Sequence, residues 1–190
     1  MARRHLAAPD PGRLLAIYLN DHLAGSRGGL ALIRRIVRRH RGTPLEAPLA
    51  RIAQEIAEDR DSLQDIMRTL DVPARHARAA LGALAELAGR LKLNGRLVSR
   101  SPLSDVLEFE AMRLGVEGKA AGWSALRTVA DADPRLEHAL LERLLERADR
   151  QAGVLEEMRL AAAARALPAP GGALHPMAHG AAGGGGRAGR

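Results

Sequence analysis

The chain has 190 residues, of which 46% are hydrophobic and 27% charged, with a formal net charge of +7 and no cysteine. That is enough for one domain with a buried core, and the missing thiols exclude disulfides, iron–sulfur clusters, cysteine nucleophiles and cysteine-based zinc sites. Aromatic residues make up only 2%, and Leu and Ala dominate where a large sandwich or barrel would use aromatic and β-branched residues, so the predicted class is all-α.

The opening "MARRHLAAPDPGR" lacks the apolar core of a signal peptide, and residues 1–10 read as a disordered leader. The first helix is predicted from Pro11, a first-turn proline after Asp10, to Arg41. Its stripe is Leu15, Leu19, His22, Ser26, Gly29, Ile33, Ile36 and His40, so a histidine stands where a leucine is expected. After the turn "RGTP", the second helix repeats Leu45, Leu49, Ile52, Ile56, Asp59, Leu63, Ile66 and Leu70. This 4-3-4-3 spacing has one polar intruder, Asp59. A third, alanine-rich helix is expected over residues 73–93, and "LNGRLVSRSP" is the longest break within the domain. Ser101 and Pro102 open a fourth helix that reaches Ala130, with Asp105 near the positive end of its dipole. Its apolar stripe is read as Leu103, Leu107, Glu110, Leu114, Glu117 and Ala121, which turns two carboxylates inward. Asp133 is the expected N-cap of a fifth helix from Pro134 to Ala166, with Leu141, Leu144, Ala148, Gln151, Leu155 and Met158 on its inner face. Residues 167–190 form a Pro/Gly/Ala-rich tail with too little apolar surface to offset its chain entropy. No stretch approaches 18 consecutive apolar residues, so no membrane segment is expected and a bacterial cytoplasmic protein is the default.

Short turns pair the first two helices and the last two into hairpins. The long segment between them makes this the ferritin-like form of the antiparallel four-helix bundle, spanning residues 11–166, with one extra helix in the crossover. In the first hairpin His22 and Asp59 fall at about the same height, and a hydrogen bond between them would satisfy both. With Glu110, Glu117 and Gln151 they form the candidate buried polar layer. The bland reading is a layer that fixes helix register. The alternative is a divergent iron or manganese site on His22, Asp59, Glu110 and Glu117, flanked by Glu55 and Glu58. Dinuclear carboxylate bundles take a Glu-x-x-His pair from each of two helices, and no Glu-x-x-His occurs here, so no cofactor is expected. The glycines at 25, 28, 29, 115, 118 and 122 read as room for close helix approach.

Arg34, Arg35, Arg38, Arg39 and Arg41 make a basic patch. It suits either a helix C-terminus or a nucleic-acid surface, with Glu46 placed to match Arg34 and Arg35 and Glu55 to match Arg27. The Arg, Ala and Gly richness matches GC-rich coding, and aromatic platforms for bases are scarce, so nucleic acid is a secondary reading. His175 and His179 in the tail are a weak metal pair. Gly-rich phosphate loops, nucleophile elbows and His-Glu-x-x-His are absent from the chain. The expected function is therefore non-enzymatic, through self-association or a partner protein.

The stretches "LLAIYLNDHLAG", "AEDRDSLQDIMRTLDV", "RLKLNGRL" and "LEFEAMRLGVEGKAAGW" resemble a family of uncharacterised, mostly actinobacterial, ferritin-like proteins. The resemblance covers about residues 13–160 and implies the bundle fold, with no activity attached. "YLNDHLAG" is also similar, more distantly, to the first helix of stress-related ferritin-like proteins, from which this chain departs at every Glu-x-x-His.

Overall fold

The computed structural model describes residues 10–75 and 103–167. Within them lie four helices and no strand: α1 (Pro11–Arg39), α2 (Glu46–Thr69), α3 (Leu103–Ala130) and α4 (His138–Ala166). The expected helix over 73–93, its following break, the Ser101–Pro102 helix start, the leader up to residue 9 and the tail from residue 168, with His175 and His179, lie outside the described residues. The fourth and fifth helices of the sequence reading are α3 and α4.

Local chemistry sets the helix ends. Pro11 starts α1 because it lacks an N–H that would go unsatisfied there, while the Asp10 carboxylate accepts the Gly12 N–H at 3.1 Å. The helix stops at Arg39, two residues short of the expected Arg41. Gly42 turns the chain with φ 73°, and its N–H donates to the Glu46 carboxylate at 2.7 Å. The α2 terminus is a Schellman motif. Asp71 takes the left-handed conformation (φ 56°), its N–H donates to Arg68 O, and the Val72 N–H donates to Met67 O. One boundary differs more. Asp133 closes a turn in which its side chain accepts the Arg135 N–H and its carbonyl the Leu136 N–H, so α4 begins at His138 with Glu137 as its N-cap. A short aspartate satisfies a tight turn as readily as a helix start, and at 133 the turn wins.

Contacts between helices give their directions. Along α1, His22 meets Gly122 and Arg39 meets Glu108, so α1 and α3 are antiparallel. Gln151 reaches Glu55 and Arg147 reaches Glu58, so α2 and α4 are antiparallel. The end of α2 lies against the α3–α4 turn, where Arg135 donates to Thr69 O and pairs with Asp71. The start of α3 lies at the other end, where Asp105 meets His40. The end of α2 and the start of α3 therefore lie at opposite ends of the four helices.

Two apolar clusters fill the interior. One holds Ile33, Ile36, Leu49, Ile52, Phe109 and Leu155; the other holds Leu19, Leu63, Met67, Trp123, Leu141 and Leu144. The predicted inner faces of α2 and α4 are the buried ones. The predicted face of α3 is not. Glu110, Leu114, Glu117 and Ala121 are exposed, and Val106, Phe109, Met112, Val116, Trp123 and Leu126 point inward. The leucines at 103, 107 and 114 mimic a stripe. The true one carries a lysine at its centre, Lys119, and bulkier apolar residues on either side.

Candidate functional site

Between the two apolar clusters lies a charged layer. Ile56 and Leu63 bracket Asp59 on α2, Val116 and Trp123 bracket Lys119 on α3, and Leu144 and Leu155 bracket Arg147 and Gln151 on α4. Asp59 is 1% exposed. One of its oxygens, Oδ2, accepts from the Lys119 ammonium. Its Oδ1 stands 2.5 Å from Arg147 Nη2. Lys119 Nζ also donates to Gln151 Oε1 at 2.5 Å, and the Gln151 amide donates to Glu55 at 2.9 Å and, more weakly, to Asp59 at 3.4 Å. Arg147 reaches Glu58 at 3.1 Å. Asp59, Lys119 and Arg147 are thus paired with opposite charges, as a low-dielectric interior requires. Burial pulls the Lys119 ammonium below the ordinary lysine value, and the adjacent Asp59 carboxylate offsets part of that pull.

The expected layer members separate. Asp59 and Gln151 come together in this cluster. Glu110 and Glu117 stand on the outer side of α3, and Glu117 pairs with Arg113 at 2.8 Å. His22 and Asp59 line one cavity, but His22 sits at Gly122, about one turn along α3 from the Lys119 that meets Asp59, and no hydrogen bond joins the two. Its half-buried ring instead meets the Tyr18 ring edge-on at 4.5 Å and packs on Gly122. Desolvation holds its pKa below the ordinary histidine value, with Asp21 opposing. The residue that sequence reasoning missed is Lys119. Its signal was there: three residues after Val116 and four before Trp123, it continues the true inner stripe of α3.

A dinuclear metal centre does not fit this donor set. The Lys119 ammonium donates to the inward carboxylate and to the Gln151 carbonyl that a cation would need. Among the described residues no group of three or more His, Asp or Glu could hold a metal ion.

The cavity has a volume of about 460 Å³ and lies between α1 and α3, with α2 contributing part of its wall. It exists because α1 brings only Gly25, Ser26 and Gly29 to the height where the other helices bring Asp59, Lys119 and Gln151. The expectation of glycines for close helix approach holds clearly at one position. A Cβ at Gly122 would fall 2.9 Å from the His22 ring, whereas at Gly25 and Gly118 it would meet nothing within 4 Å.

The basic patch is partly consumed inside the protein. Glu108, only 3% exposed, takes Arg39 and Arg35, the latter at 3.4 Å. Arg34, Arg38 and Arg41 remain exposed. Glu46 and Glu55, expected beside Arg34, Arg35 and Arg27, instead accept from the Gly42 N–H and the Gln151 amide. Beside Glu108, His40 is buried, stacks on Phe109 with ring centroids 5.6 Å apart, and meets Asp105 at 3.2 Å. Among the described residues no helix is long and apolar enough to cross a membrane. No family model, curated protein or solved structure matches this chain.

Proposed function

We propose that this chain is a non-enzymatic bundle of ferritin-like connectivity in which a salt-bridge layer centred on Lys119 stands where such folds carry two metal ions, and that it acts through non-covalent contacts. Helix direction supports the fold. α1 and α4 run one way, α2 and α3 the other, and the end of α2 and the start of α3 lie at opposite ends of the bundle, the placement that goes with the single long crossover of ferritin-like folds. The observation that carries the functional reading is the Lys119 ammonium between Asp59 and Gln151. With each buried charge bound to another, the layer offers no free base, nucleophile or ligand set among the described residues, and its chemistry is that of a register lock. Binding is the remaining use of such a scaffold. Leu14 and Ile17, close to one turn apart on α1, stand about half exposed as contact residues for a second copy or a partner protein.

The test is metal content of tag-free protein from cells supplemented with iron and manganese. The reading predicts far less than one metal ion per chain, unchanged in Asp59→Ala. Stoichiometric metal that disappears in Asp59→Ala overturns it.

A further inference from the structure

We infer that the cavity between α1 and α3 is a binding site for an uncharged, elongated, largely apolar small molecule bearing one hydrogen-bond-accepting oxygen, such as a ketone, quinone or alcohol. This goes beyond the bundle reading, which requires no ligand.

Size and shape come first. The cavity, about 460 Å³, lies within the range of sites that take small molecules. Its lining runs from Tyr18 to Leu32 on α1 and from Ala111 to Leu126 on α3, about four turns of each helix or roughly 20 Å. An elongated ligand fits that slot better than a compact one.

The glycines supply the second argument. Gly25 and Gly118 line the cavity, and glycine weakens a helix at both positions. Packing does not demand it there, because an added Cβ would meet open space. Gly122, against the His22 ring, shows what a packing glycine looks like. At 25 and 118 the missing side chain leaves the slot wide.

The polar groups choose the ligand chemistry. Lys119 lines the cavity and has, among the described residues, two acceptors for its three ammonium protons, Asp59 and Gln151. Trp123 also lines it, is 2% exposed, and its buried indole N–H has no acceptor among the described residues. Donors are left over, so the ligand brings an acceptor. The charged lining residues cancel, Asp21 and Asp59 against Arg60 and Lys119, and desolvation disfavours the cationic form of His22. A net charge on the ligand would therefore go uncompensated in a site that is mostly apolar.

The full-length chain tests this with Nile red, a neutral, elongated dye with one carbonyl, and with competitors of matched chain length. Saturable one-to-one binding is expected, with quenching of Trp123, the chain's single tryptophan. Dodecan-2-one or dodecanol should displace the dye at concentrations at least about tenfold lower than dodecanoate or dodecyltrimethylammonium. Gly25→Leu and Gly118→Leu, which place a side chain in the slot, should each weaken the dye by about tenfold or more while the thermal melt keeps its midpoint. Absence of saturable binding overturns the proposal, as does equal displacement by the charged competitors, neither of which depends on a variant folding. Unchanged affinity in both folded leucine variants overturns it too. Failure here leaves the metal content untouched, so it is distinguishable from failure of the bundle reading.

Discussion

Asp59→Leu is the sharpest perturbation of the charged layer. The substitution removes the carboxylate that holds Lys119 and one of the two that hold Arg147. Arg147 keeps Glu58 at 3.1 Å and is not orphaned. Lys119, with a side chain 17% exposed, keeps only the Gln151 carbonyl. Breaking a buried ion pair from one side costs about 3–5 kcal/mol, more than the roughly 1–3 kcal/mol of one unsatisfied polar group. Lys119→Met alone should cost less, about 1–3 kcal/mol, because Asp59 retains Arg147 and Gln151. The double variant Asp59→Leu/Lys119→Met replaces the pair by apolar groups and should return to within about 1 kcal/mol of wild type or exceed it. Urea unfolding followed by circular dichroism at 222 nm, with m-values held common, reads all four proteins. The expected coupling is at least about 2 kcal/mol. If Asp59→Leu costs under about 1 kcal/mol, or the single effects simply add, the buried pair is not what the geometry says it is.

Three further outcomes follow from other contacts. Gly122→Ala drives a methyl into the His22 ring and should destabilise by about 1–2 kcal/mol. His22→Ala should relieve this, while Gly118→Ala should be neutral or stabilising by up to about 1 kcal/mol, all measurable as melting midpoints. Glu108→Ala leaves Arg35 and Arg39 without their shared carboxylate, but both reach solvent, so a urea midpoint shift equivalent to about 1–2 kcal/mol is expected. For pH, burial holds the folded-state pKa of His22 below its ordinary 6.5, so between those two values the unfolded chain binds more protons. His22 therefore makes stability fall as pH drops from 6.5 through the folded pKa. Its share should vanish in His22→Gln when urea midpoints are compared across that window.

The parts of this architecture that were legible in the sequence are those where one apolar stripe has no competitor. α2 repeats Leu49, Ile52, Ile56, Leu63 and Ile66 around a single aspartate, and α4 does the same around Gln151, so burial of both polar residues could be read directly. α3 offered two stripes. The leucine-rich one, with Glu110 and Glu117, faces out, because the helix rotates to bury Phe109, Met112 and Trp123, whose larger apolar surfaces release more free energy. That rotation brings Lys119 to Asp59, and so the partner expected from α1, His22, proved to come from α3. A hairpin register can place two residues at one height. It cannot say which residue of another helix reaches the carboxylate first.

The charged layer turns on one ammonium group, and the chain makes it accessible to spectroscopy, since lysine occurs only at positions 92 and 119. Nitrogen-15 labelling of lysine, with proton-detected spectra of the ammonium groups, should give two resonances, one of them lost in Lys119→Met. This resonance should be protected from solvent exchange near neutral pH, shift on Asp59→Asn, and titrate below the ordinary lysine value of 10.5. A resonance that exchanges like a surface lysine, ignores Asp59 and titrates at that ordinary value would contradict a buried Lys119–Asp59 pair.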